Sequence, residues 1–349
     1  MEIIGLDLHK RESQLCIQAE DGSISERRIA TTRERFAAVL GARPARATIL
    51  LEATTESEWV ARHLEALGHA VIVADPNYAP MYANRSRRTK TDKRDARTLL
   101  DACVTGAYRP AHRLSDAQRH VRAELAVRDS LVRTRVRLIA LAKTLVRRDG
   151  LRVAGSSAAR VAERIAALAL SPRLASELAP LFAVLGPLNA QIAAADARIA
   201  RLAAADPVVV RLMTAPGIGA VTACAIVATV DDITRFRSAH ELEAYVGLVP
   251  SERSSGETRR LGRITKAGNA RVRWLLVEAA WRIVRSTRPD TAALRAWAHA
   301  IAQRRGRGVA VVALARRLTG IVFAMWRDGV AYDAARLRLR PPASATGTG

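Results

Sequence analysis

The sequence predicts an α/β domain that is followed by a mainly α-helical region. Up to Ala74, apolar residues alternate with polar ones or run in short blocks, which is typical of β-strands. From Ser115 onward they recur at three- and four-residue steps, which is the period of amphipathic helices. A chain of 349 residues is long enough for two domains, each with a hydrophobic core of its own.

The α/β domain is expected to span residues 1–110. Short strands are expected over Ile3 to Leu8, Gln14 to Ala19, Ser25 to Ala30, Ala47 to Ala53 and Ala70 to Ala74. Helices are expected over Thr32 to Leu40, Glu56 to Leu67 and Asp92 to Thr105. Three consecutive strands followed by alternating helix and strand is the element order of a ribonuclease-H-like fold of mixed sheet.

Four acidic residues stand at notable places in this domain. Asp7 interrupts the apolar first strand, and Glu52 ends the apolar fourth strand. Asp92 and Asp95 are three residues apart, so they project from one helical face. If the first and fourth strands are neighbours, the four carboxylates converge. Such a cluster needs divalent cations to offset its repulsion, and hard oxygen ligands suit Mg²⁺ or Mn²⁺.

Each acid also has a local explanation that requires no metal. Asp7 could be a strand-end turn residue, Glu52 a helix cap, and the Asp92–Asp95 pair a complement to the helix dipole. The nearest alternative ligands are Asp75 and Asp101.

Residues next to the acids also bear on the site. His9 is expected to face substrate or solvent and not a metal, because only one imidazole lies nearby. The basic residues around Asp92 and Asp95, which include Lys90 and Arg94, suit nucleic-acid phosphates.

The chain is strongly basic, with 56 Lys and Arg against 33 Asp and Glu and a formal charge of +23. This charge predicts a polyanionic partner or an anionic membrane surface. The membrane is disfavoured, because the apolar segment Val309 to Trp326 contains Arg316 and Arg317. Three cysteines lie far apart without metal-ligand spacing, which is typical of a reduced, cytoplasmic protein: Cys16, Cys103 and Cys224.

Residues 111–206 are expected to form a helical arm with two heptad stretches. The first stretch has Val127, Leu131, Thr134, Leu138, Leu141 and Leu145 at its apolar positions, and the second has Leu181, Leu185, Leu188, Ile192, Ala195, Ile199 and Leu202. The pattern favours a helical hairpin or a dimerising coiled coil. Packing within one subunit is equally consistent, because heptads do not distinguish the two.

Residues 207–335 are expected to form a second domain, followed by a disordered tail over 336–349. The run Pro216-Gly217-Ile218-Gly219, before an apolar helix, resembles a helix-hairpin-helix. The backbone N–H groups of its turn, at Gly217 and Gly219, would bind a phosphate without reading sequence. An ordinary turn between helices is the alternative. Trp274 and Trp281, on the helix Ala270 to Arg285, are expected in the core.

Two adjacent serines, Ser254 and Ser255, lie on a predicted glycine-punctuated loop within this domain. The surrounding basic residues are Arg253, Arg259, Arg260, Arg263, Lys266, Arg271 and Arg273. One interpretation is a serine nucleophile directed at a nucleic-acid phosphodiester. The other is a surface loop with solvated arginines.

Together these residues resemble the DEDD transposases of bacterial insertion sequences, the family numbered one hundred and ten. The resemblance covers roughly residues 1–105 and 208–290 in the same order. Its motifs are Asp7, Leu51-Glu52-Ala53-Thr54, Lys90 to Ala96, Pro216 to Gly219, Gly247-Leu248-x-Pro250, Ser255-Gly256, Gly262, Ile264-x-Lys266 and Gly268.

The resemblance implies a RuvC-like domain, a coiled-coil arm and a serine-bearing transposase domain. By position, Asp7, Glu52, Asp92 and Asp95 would be the ligands of Mg²⁺ or Mn²⁺. Ser255 would be the nucleophile that forms a phosphoserine link to DNA, with its neighbour Ser254 as the alternative.

The same resemblance implies the partners. They are donor and target DNA and an element-encoded bridge RNA that guides recombination, and the protein would act as a homo-oligomer, a dimer or tetramer, at the bacterial nucleoid. Two other functions are consistent with the residues. One is a RuvC-like junction nuclease that uses metal-activated water, and the other is a non-catalytic nucleic-acid-binding protein whose acids are structural.

Overall fold

The computed structural model describes residues 2–41, 46–82, 91–255 and 258–337, without the side chains of 253–255 and 258–261. The predicted tail lies outside the described residues beyond Leu337, and so does Lys90. The chain divides into two compact units, Met1–Arg113 and Leu114–Gly349.

The first unit contains a five-stranded mixed sheet of order β3-β2-β1-β4-β5. Its strands are β1 (Ile3–Leu8), β2 (Glu12–Gln18), β3 (Ile24–Ala30), β4 (Thr48–Glu52) and β5 (Ala70–Ala74). Strand β1 pairs antiparallel with β2 and parallel with β4, and β4 is parallel to β5. The first and fourth strands are therefore neighbours, as the sequence predicts.

Helical elements pack against this sheet. They are α1 (Arg33–Phe36), which continues into a π-helical turn over Ala37–Gly41, α2 (Ser57–Ala66) and α3 (Asp92–Thr105). One core joins the Ile4 and Leu6 side of β1 to Phe36 and to Leu64 of α2. Because strand residues alternate between faces, Gly5 and Asp7 belong to the other side, against which α3 packs.

Gly5 allows α3 to approach β1 closely. A Cβ atom at this position would lie 2.2 Å from the carbonyl oxygen of Ala96 and 2.3 Å from the amide nitrogen of Leu100. Both contacts are with main-chain atoms, so no side-chain rotation relieves them. The first turn of the same helix carries Asp92 and Asp95, and this close approach therefore brings that turn towards Asp7.

The second unit is mostly α-helical, as predicted. Its helices are α4 (Asp116–Arg148), α5 (Val161–Ala166), α6 (Pro172–Ala205), α7 (Pro207–Leu212), α8 (Ala220–Val230), α9 (Ala239–Tyr245), α10 (Ala270–Arg285), α11 (Ala292–Arg305) and α12 (Arg307–Arg327). Two strands, β6 (Pro250–Ser255) and β7 (Thr258–Ile264), pair antiparallel. The largest core of the unit joins residues of α8, α10 and α12.

Helices α4 and α6 pack on each other within the chain. The apolar positions predicted for α6 are buried between Leu185 and Ile199. The positions predicted for α4 are partly wrong, because Val127 and Leu141 are 51% and 48% exposed. Helix α4 also contacts α5 and α8, so its buried stripe does not follow a single seven-residue repeat.

The serine segment is a β-hairpin and not the predicted loop. Ser254 pairs with Arg259, and Ser255 pairs with Thr258. Serine and glycine are typical of turns, and that composition led to the wrong prediction. Strand formation here depends on pairing with a neighbouring segment, which satisfies the backbone N–H and C=O groups.

Two helices, α6 and α12, are long and apolar enough to cross a membrane by length and composition alone. Helix α12 contributes Leu314, Leu318 and Val322 to the largest core of the second unit. Its Arg316 donates to Glu243 at 2.6 Å. These contacts are those of a core helix.

The substitution Gly5→Ala tests the approach of α3 to β1. The added methyl group must displace the helix, so we expect a loss of about 1–3 kcal/mol in the free energy of unfolding. Gly41→Ala, in the same unit, is the matched control, because its Cβ atom would meet Leu67 at an ordinary 3.5 Å. Chemical denaturation measures both variants, and equal stability would contradict the packing described here.

Candidate functional site

Asp7 and Glu52 are brought together by strand pairing. Leu6 of β1 pairs with Leu51 of β4 in parallel register, and the two acids are the next residues along each strand. Residues at matching register positions share a face of the sheet. Asp7 and Glu52 therefore lie on the face that α3 covers, at the carboxyl ends of adjacent parallel strands.

The other two acids lie in the first turn of α3. Thr91 caps this helix, because its hydroxyl accepts a hydrogen bond from the amide of Arg94 at 3.4 Å. Asp92 and Asp95 follow the cap directly. The local sequence thus fixes where the helix begins and places both carboxylates at the end nearer Asp7.

His9 lies between two of these acids. Its Nε2 atom is 3.2 Å from Oδ2 of Asp7 and 3.4 Å from Oδ1 of Asp92. One ligand atom from each of the three residues lies within 4.8 Å of the other two. The His9 side chain is 51% exposed, so it reaches solvent as the sequence analysis expects. Its role beside a metal stays a prediction.

Asp7 is the strained member of the cluster. It is 8% exposed, and its Oδ2 atom has no hydrogen-bond partner among the described residues, since the His9 contact lacks hydrogen-bond geometry. Burial raises its pKa, His9 lowers it, and Asp95, Asp92 and Glu52 raise it further. All four predicted acids are therefore close enough to interact electrostatically.

These residues fit a divalent cation. A buried carboxylate oxygen that accepts no hydrogen bond from the described residues, beside three further carboxylates and one imidazole, is a costly arrangement for a metal-free protein. Carboxylate oxygens are the ligands that Mg²⁺ and Mn²⁺ prefer, and Mn²⁺ also accepts imidazole.

The alternative acids are occupied elsewhere. Asp75 forms an ion pair with Arg109 and accepts a hydrogen bond from the backbone of Asn77 at 2.9 Å. Burial raises the pKa of Asp75, but these hydrogen bonds outweigh burial and the pKa is lowered. Asp101 accepts a hydrogen bond from Arg97 at 3.0 Å. Neither acid belongs to the cluster around Asp7.

The basic residues named from the sequence fall into different settings. Arg94 on α3, and Arg263 and Lys266 beside the hairpin, are exposed. The hairpin register pairs Arg253 with Arg260. Their use in nucleic-acid binding stays a prediction.

Arg271 and Arg273 are held by protein groups. Arg271 Nη2 lies 2.7 Å from Oδ1 of the buried Asp129. Arg273 Nη1 donates to the carbonyl oxygens of Val246 at 3.0 Å and Ala267 at 2.9 Å. Both guanidinium groups therefore have a structural task within the second unit.

Two glycines beside the hairpin allow main-chain segments to cross. Gly247 and Gly268 have φ angles of 72° and 70°. A Cβ atom at Gly247 would lie 2.1 Å from the carbonyl oxygen of Ala267, and one at Gly268 would lie 1.9 Å from that of Tyr245. The space beside these two glycines is thus filled by the chain itself.

The Pro-Gly-Ile-Gly turn precedes α8. Gly217 has a φ of 78°, and its Cβ atom would lie 2.7 Å from the carbonyl oxygen of Ala279 on α10. Gly219 is the N-cap residue of α8 and provides no side-chain cap. The first turn of α8 therefore has amides that no capping side chain satisfies.

Two regions of the chain, one with the serine hairpin and one with the four acids, match known family models. Residues 209–295 match the model described as "Transposase IS116/IS110/IS902 family", and residues 4–148 match a transposase model of the DEDD type named for IS110. The first match contains the serine hairpin, and the second contains the four acids.

Curated relatives agree with these matches. A probable family 20 transposase of Pseudomonas aeruginosa is 31% identical over 295 residues, 81% of this chain and 85% of the relative. The transposase for insertion sequence element IS1111A of Coxiella burnetii is 29% identical over 332 residues, 93% and 89% of the two chains. The transposase for IS1328 of Yersinia enterocolitica is 26% identical over 335 residues, 95% and 98%.

Asp7→Asn should stabilise the metal-free protein at neutral pH. Folding raises the pKa of Asp7. The contribution of Asp7 to the free energy of unfolding is therefore favourable at low pH, where the carboxyl group is protonated, and is lost as the pH rises through that pKa. Removal of the charge should raise the melting temperature at pH 7 in EDTA by on the order of 2–4 °C. The difference should shrink as the pH falls towards about 4.

The same substitution should remove the stabilisation that Mn²⁺ or Mg²⁺ gives to the wild-type protein, because a ligand that binds only the folded state raises its stability. Asp101→Asn is the control and should keep the metal-dependent shift, since Asp101 pairs with Arg97 outside the cluster. A metal-dependent shift in Asp7→Asn equal to that of the wild type would contradict the assignment of the cluster.

Proposed function

The chain belongs to the IS116/IS110/IS902 family of transposases, and we propose that it recombines DNA through a serine–phosphodiester intermediate at a metal-assisted acidic site. One observation carries this proposal. The buried Asp7 carboxylate lies close enough to Glu52, Asp92 and Asp95 to interact with them, and its Oδ2 atom accepts no hydrogen bond from the described residues. Such a cluster has no structural use that an apolar residue would not serve better.

The strand order supports a RuvC-like domain of the ribonuclease-H type. Strands β1 and β4 are parallel neighbours, β2 and β3 extend the sheet in antiparallel order, and α3 covers the acidic face. Asp7, Glu52, Asp92 and Asp95 would hold Mg²⁺ or Mn²⁺. When bound, such an ion polarises a phosphoryl oxygen and lowers the barrier to attack on phosphorus.

Ser255 is the proposed nucleophile. Its hydroxyl oxygen forms a bond to phosphorus, the bond from phosphorus to a sugar oxygen breaks, and the hydroxyl proton passes to that leaving oxygen. One phosphate ester replaces another, so the strand can be rejoined without a nucleotide cofactor. Ser254 is the neighbouring alternative, and separate substitution of each serine distinguishes the two.

Nucleic acid would be held by charge and by backbone amides. The net charge of +23 favours a polyanion, and Arg94, Arg263 and Lys266 are exposed basic residues near the two chemical groups. The turn at Gly217 and Gly219, read as a helix-hairpin-helix, would donate amides of the first turn of α8 to a phosphate. None of these contacts reads a base sequence.

Sequence recognition is therefore assigned to a partner that base-pairs. We propose the bridge RNA that the family resemblance implies, with a dimer or tetramer of this chain acting in the bacterial cytoplasm at the nucleoid. The helical arm of α4 and α6 is the proposed coiled-coil region. The DNA that flanks the gene tests this part directly. It should encode a noncoding segment with loops complementary to the element's junction and to its target.

Ser255→Ala tests the covalent step. With donor DNA, target DNA, guide RNA and Mg²⁺ present, the wild-type protein should form a denaturation-resistant adduct with labelled DNA. Ser255→Ala should form this adduct at least about 10³-fold more slowly, because the attacking oxygen is absent. Ser254→Ala is the matched control and should retain the adduct.

Two outcomes would favour other functions. Undiminished strand cleavage by Ser255→Ala, without any adduct in the wild type, would indicate a nuclease that activates water. Strand cleavage by Asp7→Ala at the wild-type rate would indicate that the acids are structural.

A further inference from the structure

Trp274 is the exposed tryptophan of the chain. The other four, Trp59, Trp281, Trp297 and Trp326, are partly buried and pack against hydrophobic clusters. Trp274 is 50% exposed, although the sequence predicted a core position for it. A large aromatic ring left in water on a folded helix is unusual and often marks a binding surface.

The ring is held in a fixed position. The guanidinium carbon of Arg271 lies 4.6 Å from the centroid of the Trp274 ring, at cation–π distance. Arg271 is itself fixed, because its Nη2 atom lies 2.7 Å from Oδ1 of Asp129, which is buried in α4. The ring is therefore oriented by a chain of contacts from α4 to α10, and a partner would meet an ordered surface at low entropic cost.

Arg271, which contacts the Trp274 ring, also lines a cleft of about 260 Å³ between α4, α8 and α10. The charged residues of this cleft are Arg122, Arg133, Arg271 and the single acid Asp129, and the rest of its lining is apolar or uncharged. Burial lowers the pKa of Arg271, the Asp129 carboxylate opposes this change, and the nearby Arg128 and Arg133 lower it further. Arg133 and Arg271 both pair with the one carboxylate of Asp129, so the arginines of the cleft outnumber their acid and a phosphate group would supply a second anion.

This composition favours nucleic acid over a protein partner. Tryptophan and arginine occur at both kinds of interface, but the net charge of +23 and the excess of arginines over acids in the cleft favour a polyanion, and nucleic-acid surfaces combine aromatic rings with arginines. A ring that stacks on a base needs that base to be unpaired, because bases inside a duplex are already stacked.

We propose that Trp274 is a stacking platform for an unpaired nucleobase of single-stranded nucleic acid, whose adjacent phosphate lies in the cleft at Arg122 and Arg133. The inference rests on the proposed function only in taking nucleic acid as the partner. It does not depend on Ser255, on the acids or on a metal. The unpaired strand comes from either DNA or RNA, and both present the same base and phosphate.

Binding is measured in EDTA, so that strand chemistry does not contribute. Fluorescence anisotropy with labelled oligothymidylate, oligouridylate and a duplex, each of about 20 nucleotides, compares the wild type with Trp274→Ala and Trp274→Phe. Trp274→Ala should weaken binding of single strands about tenfold and leave the duplex within about twofold. Trp274→Phe should keep most of the affinity, because the ring remains. The oligonucleotide with the larger loss identifies the source of the strand.

Two further variants separate the parts of the platform. Val309→Ala is the matched control, because Val309 is also an exposed apolar residue of the second unit. It should bind as the wild type does. Arg122→Ala should weaken the binding of single strands and of the duplex alike, because a phosphate contact carries no strand preference. The slope of the logarithm of the binding constant against the logarithm of the salt concentration should be smaller by about one.

Several results would overturn the proposal. The first is that Trp274→Ala binds single strands within about twofold of the wild-type affinity. The second is that this variant loses as much affinity for the duplex as for single strands. The third is that light scattering shows a smaller oligomer for this variant than for the wild type. The last result would assign Trp274 to a contact between protein chains. If Ser255→Ala loses the covalent adduct but binds single strands as the wild type does, the stacking proposal stands. If Trp274→Ala keeps the single-strand affinity of the wild type while Ser255→Ala loses the adduct, the stacking proposal is wrong and the proposed chemistry stands.

Discussion

The contact between α3 and β1 over Gly5 is the constraint on which the acidic site depends. Strand register alone brings Asp7 beside Glu52, since both follow paired leucines. It does not bring Asp92 or Asp95, which lie far along the chain. Those two residues join the cluster because the helix main chain rests directly on a residue without a side chain. The geometry of the site is thus set by backbone packing, which is stiffer than side-chain packing.

The same packing concentrates negative charge. Each carboxylate that joins the cluster raises the pKa of Asp7, and burial adds to the effect. A metal-free protein must tolerate this repulsion, and the imidazole of His9 lies beside both Asp7 and Asp92. Concentrated charge of this kind lowers the stability of the metal-free fold. The hydrophobic core on the opposite side of the sheet supplies the compensating stability.

The sequence predicted the elements that depend on local periodicity and missed those that depend on distant partners. The five strands and the start of α3 follow from the periodicity of apolar residues, and the approach of the acids follows from the parallel pairing of β1 with β4 and the spacing of Asp92 and Asp95. The hairpin at Ser254 was missed because its composition is that of a turn. The exposure of Trp274 could not be predicted, because it depends on which face of α10 packs into the core with α8 and α12.

The second unit positions its serine hairpin by the same physical device as the first unit positions its acids. Gly247 and Gly268 let two main-chain segments cross within contact distance, and a side chain at either position would separate them. Arg273 then binds a carbonyl oxygen from each segment, at Val246 and Ala267. Strand β6 begins at Pro250 and strand β7 ends at Ile264, so the base of the hairpin leaves from this crossing. An arginine-rich sequence therefore does not mean that every arginine is available to nucleic acid. Some of the charge orders the protein, and the exposed remainder is what a phosphate backbone can neutralise.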